Sequence, residues 1–170
     1  MTRVLLLIIA ILATAGAALA YGDPRQLSLA GTIVTEILRR QVPPQLRTVD
    51  VSRGNTGEFA LQAKINGIGT PMVIDTGATS VILSYEAAKA IGLPIELLDY
   101  NIDVETVSGR TKAARLTLDR LAIGKLVERS VPALVVPRGL MKTNLLGMSF
   151  LDRLESWEVR ADKLKLRGYP

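Results

Sequence analysis

Pro71-Met72-Val73-Ile74-Asp75-Thr76-Gly77-Ala78 sets an apolar run directly against a carboxylate, a hydroxyl and a glycine. Met72-Val73-Ile74 predicts a short strand buried on both faces. A carboxylate at the end of such a strand is poorly explained by core packing, because an unpaired buried charge is costly. The chain contains no histidine and no cysteine. Ser-His and Cys-His nucleophilic sites are thereby excluded, as are metal sites built on His or Cys. Carboxylate chemistry, a carboxylate-only metal site and a lysine-assisted serine remain.

Outward from Asp75 the pattern is one of short strands. Upstream, Phe59, Leu61 and Ala63 alternate with polar residues, and Ile65-Asn66-Gly67-Ile68-Gly69 supplies a turn. Downstream, Val81-Ile82-Leu83 reads as a strand, and Ser84 as the cap of a helix ending at Ile91-Gly92. Ile102, Val104 and Thr106 alternate, and so do Ala114, Leu116 and Leu118, predicting a hairpin with Gly109 near its tip. Leu121–Gly124 and Val131–Val136 read as separate strands, Met148–Leu154 as a short helix, and Trp157–Val159 with Leu164–Leu166 as a closing hairpin. Many short strands at this spacing predict an all-β barrel or sandwich.

Ahead of this region, residues 4–20 are uncharged and mostly apolar behind Arg3, ending in Ala18-Leu19-Ala20. That is the pattern of a secretory signal peptide, and also nearly the roughly 17–25 residues of a membrane anchor. Either reading places the remainder on the exported side: an inner-membrane protein with a periplasmic domain, or a periplasmic protein after cleavage. Residues 21–57 read as a linker with an amphipathic helix around Leu27–Leu38, stopped by Pro43-Pro44, and with an irregular stretch from Pro43 to Gly57. Residues 58–170 are then the functional domain. Net charge is +5 with a pI near 9.7. The basic residues are scattered, and two Phe, four Tyr and one Trp give no aromatic interleaving for single-stranded nucleic acid. A solvated surface near anionic lipid is the expected role of the charge, with no nucleic-acid partner.

One carboxylate is a poor catalyst of amide hydrolysis, whereas two about 3 Å apart share a proton and divide acid and base roles. The chain has a single Asp-Thr-Gly, so the second carboxylate must come from a second copy across a two-fold axis. On its own Asp-Thr-Gly is also an ordinary strand-ending turn. About 70 residues later, Thr143-Asn144-Leu145-Leu146-Gly147-Met148-Ser149-Phe150-Leu151 fits a buried strand, a glycine and a helix beneath the Asp75 loop.

Asp-Thr-Gly-Ala, a Gly-tipped hairpin, then Asn-Leu-Leu-Gly and a short helix, in this order and size, resemble the retropepsin-type aspartic proteases. The chain is similar in particular to the bacterial membrane-anchored or periplasmic members of that clan, over roughly residues 58–167. The resemblance implies a closed all-β lobe with one or two short helices, active as a homodimer on an extended peptide, without cofactor or metal. It casts Asp75 as the catalytic residue and Thr76, Gly77 and Ala78 as the active-site loop. Val107, Ser108 and Gly109 become flap residues on substrate, Leu145 and Leu146 subsite walls, and Asn144 and Gly147 supports of the loop. Ala78 stands where pepsins carry a hydroxyl that bonds the carboxylate, so a less acidic optimum than pepsin's is expected. Thr79-Ser80 replaces residues that are often acidic in the viral enzymes. The terminal strand pair of the viral dimer sheet has no obvious counterpart in the sequence.

Other readings compete with this one. A catalytically inactive, peptide-binding envelope scaffold of the same fold would bind by strand addition. Ser84, Ser108, Ser130 and Lys142 lie in no nucleophile motif, and Asp99, Asp103 and Glu105 lack calcium-loop spacing.

Overall fold

The computed structural model describes residues 47–106 and 109–170, within a compact unit running from Leu46 to Pro170. The apolar segment 4–20 and the expected amphipathic helix lie outside the described residues. Among the described residues no helix is long and apolar enough to cross a membrane.

Among the described residues, ten strands and two short α-helices follow the pattern in the sequence. They are β1 (Arg47–Ser52), β2 (Ala60–Ile65), β3 (Ile68–Ile74), β4 (Val81–Leu83), α1 (Tyr85–Ala90), β5 (Tyr100–Thr106) and β6 (Gly109–Ile123). After them come β7 (Leu126–Val135), β8 (Asn144–Leu146), α2 (Met148–Leu151), β9 (Ser156–Arg160) and β10 (Lys163–Gly168). The larger sheet runs β2-β3-β8-β4-β7-β6-β5, and β2 also pairs with β6. That extra pairing, Lys64 with Ala122 and Ile65 with Leu121, closes six of the strands into a barrel. β5 is left outside the ring, and among the described strands it is bound only to β6, as the arm of a hairpin. The expected closed all-β lobe with short helices is what the chain forms.

The local signals act as their chemistry dictates. The Ser84 hydroxyl accepts the Ala87 amide at 3.1 Å and starts α1, which Gly92 ends in a left-handed conformation. Asn66 and Gly67, with φ of 50° and 93°, form the two-residue turn between β2 and β3.

Several expectations change. Residues 121–123 are the end of the 15-residue β6 and form no separate strand. Asp119 and Arg120 lie within β6, with Asp119 facing solvent between buried Leu118 and Leu121. Of Met72-Val73-Ile74 only Met72 is buried, since β3 ends at an open cleft. The helix after Gly147 stops at Leu151 and gives way to turns. Residues 47–52, read as irregular linker, are a strand registered antiparallel to β10 from Arg47–Gly168 to Ser52–Lys163. An N-terminal and a C-terminal strand therefore do pair, within one chain, in a separate sheet of order β1-β10-β9.

That sheet shares the barrel's core. Val51, Leu164 and Leu166 belong to one buried cluster with Ile65, Leu83, Leu121, Leu146 and Phe150. Each fully buried leucine contributes roughly 1.5–3 kcal/mol. A second, small cluster of Ala113, Leu134 and Val136, with Ile82, Ile102, Val104 and Met141 against it, seats the β5–β6 hairpin.

Candidate active site

Asp75 is the first residue after β3, half-buried at the barrel mouth. β3 and β8 run parallel with Ile74 beside Leu146, and the Asp75 amide donates to the Leu146 carbonyl at 3.1 Å. The chain then folds back, the Ala78 amide donating to the Asp75 carbonyl at 3.2 Å. The Gly77 amide donates to Asp75 Oδ1 at 2.9 Å, which orients the carboxylate and leaves its other oxygen to the cleft. A β-carbon at Gly77 would stand 3.2 Å from that same Oδ1, so the approach favours glycine.

The support beneath is built from α2 and β8. The Met148 amide donates to the Ala78 carbonyl at 2.8 Å and the Ser149 amide to the Thr79 carbonyl at 3.1 Å. Gly147 makes this approach possible: a β-carbon there would lie 2.2 Å from the Ser80 carbonyl oxygen and 2.5 Å from that of Ala78. Buried Asn144 ties three strands together. Its carboxamide oxygen accepts the Ser84 amide and its nitrogen donates to the Pro71 carbonyl, both at 2.9 Å. Ser149, quoted in the motif but given no role from the sequence, does comparable work. Its hydroxyl accepts the Val81 amide at 2.9 Å and donates to the Pro132 carbonyl at 2.8 Å.

Asp75 opens into a cleft of about 490 Å³. Gly77 and Ala78 form its floor beside Ile82 and Leu145, which face each other across β4 and β8. Leu140, Met141, Lys142 and Thr143 form one wall, and Glu105 of the β5–β6 hairpin reaches in from the other side. The hairpin thus helps line the cleft that holds the carboxylate. Its arms carry a cross-strand pair, Lys112 Nζ to Asp103 Oδ1 at 2.9 Å, too exposed to contribute much.

The structure brings together Asp75, Gly77, Ala78 and Leu145 at the cleft, with Asn144 and Gly147 behind them. Thr76 is exposed on the loop. Gly109 pairs with Thr106 at the hairpin end with φ of 110°, and Val107 and Ser108 lie outside the described residues. Leu146 is a correction. It is 0% exposed within the main core, because successive strand residues point to opposite faces and only Leu145 reaches the cleft. Lys142 and the Leu140–Met141 wall were not anticipated, whereas Glu105 begins the 105–112 stretch expected to be the flap. The available signal was an apolar pair following Pro137-Arg138-Gly139, where a polar loop would be the norm. Among the described residues, no group of three acidic side chains gathers as a metal site.

A β-barrel lobe with an Asp-Thr-Gly loop resting on a Leu-Leu-Gly strand and helix, beneath a hairpin, defines a retropepsin-type aspartic protease fold. The solved retropepsin-like aspartic protease from Rickettsia conorii superposes with a TM-score of 0.66 at 29% identity, covering 73% of this chain and 92% of that one. The sequence profile of the gag-polyprotein putative aspartyl protease family matches residues 61–153, more than half of the chain. The chain belongs to this family of retropepsin-like aspartic proteases. It is also 40% identical over 111 residues to an uncharacterised Sinorhizobium protein from the cobV 5′ region, covering 65% of this chain and 48% of the relative. An uncharacterised Rickettsia prowazekii protein is 30% identical over 116 residues, covering 68% and 49%. The chain thus spans about half the length of these curated relatives.

Proposed function

We propose that the protein is an aspartic endopeptidase acting as a homodimer, with Asp75 of each copy forming one proton-sharing pair. The observation carrying this reading is the Asp75 carboxylate, oriented by the Gly77 amide and set in a cleft that the β5–β6 hairpin helps to line. An extended peptide lies between the hairpins and the floors. One carboxylate removes a proton from a water whose oxygen attacks the scissile carbonyl carbon, while its mate protonates the carbonyl oxygen. The tetrahedral carbon then collapses as the amide nitrogen takes the water-derived proton from the first carboxyl and a hydroxyl on that carbon returns its proton to the mate, so the C–N bond breaks to a carboxyl and an amine and the pair is restored. The pair titrates as a unit. In this reading Thr76, exposed next to Asp75, bonds across the axis, and the apolar floor of Ile82 and Leu145 suits apolar substrate side chains.

The proposed setting is the exported side of the inner membrane, with substrates among exported or envelope proteins. The 4–20 segment serves there as anchor, or as a leader removed on export. Parallel anchors would raise the effective concentration of the two lobes and favour pairing.

The test compares full-length wild type with Asp75→Asn on denatured casein and on a peptide spanning residues 21–57. Cleavage by wild type and its loss in the variant, with an unchanged fold and unchanged dimer, are expected. Equal cleavage by both proteins, or none by a confirmed wild-type dimer across roughly pH 3–8, would favour the peptide-binding scaffold instead.

A further inference from the structure

Besides Asp75, the cleft carries two charged side chains, Glu105 on one side and Lys142 on the other, both exposed. Among the described residues neither side chain makes an ion pair or a hydrogen bond, so these charges do not bridge the cleft. Their surroundings differ. Glu105 stands opposite Arg110 in the β5–β6 register, and opposed residues share a face, so a cation already accompanies it. The wall loop 137–143 holds two cations, Arg138 and Lys142, and no acid. Arg138 is engaged with α1: its guanidinium carbon lies 5.3 Å from the centre of the Tyr85 ring and its Nε 4.0 Å from Glu86 Oε1. Among the described residues Lys142 is left as the unanswered charge of that wall, beside Met141 and the 45% exposed Leu140.

We infer that Lys142 is a specificity-determining residue, which receives a Glu or Asp side chain of the bound peptide. A solvated ammonium at the edge of an apolar cleft loses water when a peptide covers it, and a carboxylate brought by that peptide offsets the loss. The Ile82 and Leu145 floor takes apolar side chains of the same peptide. The substrates are then extended segments in which an acidic residue lies close to the apolar residues around the scissile bond. This deepens, and rests on, the peptidase reading above. The rival role for Lys142, a counter-charge to Asp75 alone, would alter the handling of every peptide alike.

The probes are apolar peptides, amidated at the C-terminus, that carry one Glu at each position in turn, each matched with its Gln counterpart. Full-length protein gives two readouts: kcat/KM for the wild type, and Kd by fluorescence anisotropy in an Asp75→Asn background. At one position or more the Glu peptide should lead its Gln counterpart by about 10-fold in both, near the low end for a hydrogen bond between charged groups. Lys142→Met should bring that ratio close to unity, Lys142→Arg should keep most of it, and Lys142→Glu should move the preference to a Lys peptide. The protein's charge of +5 attracts any acidic peptide, so Lys125→Met, on the exposed β6–β7 turn outside the cleft, is the control and should keep the ratio. No Glu preference at any position, in cleavage or in binding, would overturn the assignment. So would a ratio that survives Lys142→Met, as a counter-charge to Asp75 requires, or one lost equally with Lys125→Met. A Gln peptide with a free C-terminus that matches the amidated Glu peptide would assign Lys142 to a terminal carboxylate, which also overturns it. A Lys142-dependent preference in binding, with no cleavage by the wild type, supports the acidic subsite and removes the peptidase. Cleavage without the preference does the reverse.

Discussion

Gly147→Ala tests most directly how the Asp75 loop is held. The added carbon would sit 2.2 Å from the Ser80 carbonyl oxygen, 2.5 Å from that of Ala78 and 2.7 Å from the Ser80 carbonyl carbon. All three are backbone atoms, so no side chain can swing aside, and loop or helix must retreat by about 1 Å. Overpacking of this kind costs about 1–3 kcal/mol. The retreat also stretches the amide bonds from Met148 to Ala78 and from Ser149 to Thr79, each worth about 1 kcal/mol. A total loss of about 3–5 kcal/mol is expected, a large part of the roughly 5–15 kcal/mol a domain possesses. In thermal unfolding followed by circular dichroism, that lowers Tm by about 10–20 °C. Turnover should fall about 100-fold even where the variant stays folded, because a reacting group displaced by about 1 Å loses its alignment. Gly69→Ala is the control, with nothing within 4 Å of the new carbon and no positive φ. A Gly147→Ala protein within about 3 °C of wild type, with turnover intact, would refute the claim that this contact sets the loop.

Two further outcomes follow from the same geometry. Asn144→Ala strands the buried Ser84 amide and Pro71 carbonyl, and should cost about 2–4 kcal/mol in urea denaturation; a loss below about 1 kcal/mol would show that neighbours replace the carboxamide. Glu58 is held below the ordinary glutamate range, first by the Thr56 hydroxyl and then by its own backbone amide. A depressed carboxyl pKa contributes stability above its unfolded value and loses it as pH falls through the folded value. In an NMR titration Thr56→Val should move the Glu58 transition upward; an unmoved midpoint would assign the shift elsewhere.

Local chemistry was the legible part of the sequence. Ser84 caps its helix, Asn66-Gly67 turns, and Asp75-Thr76-Gly77 ends its strand because the determinants of each lie within a few residues. The paired motifs, Asp75–Ala78 and Asn144–Gly147, were readable together because both are unusual and their spacing limits how they meet. Three features depended on distant partners. β1 is unremarkable until its Val49 and Val51 meet Leu166 and Leu164 across more than a hundred residues. Leu145 and Leu146 look equivalent, and only the pairing of Ile82 with Leu145 decides which one faces the cleft. Glu105 and Lys142 enter the cleft from elements whose approach is set by the packing of Ile102, Val104 and Met141.

The pairing of β1 with β10 has a topological consequence. Arg47 stands opposite Gly168, and its guanidinium grips the Tyr169 carbonyl at 2.6 and 2.9 Å. Entry and exit of the unit are thus stitched side by side, an arrangement that tolerates circular permutation and domain insertion. Any polypeptide fused upstream or downstream leaves from one common root. Joining the two ends by a short peptide and reopening the chain at an exposed turn should therefore preserve the barrel.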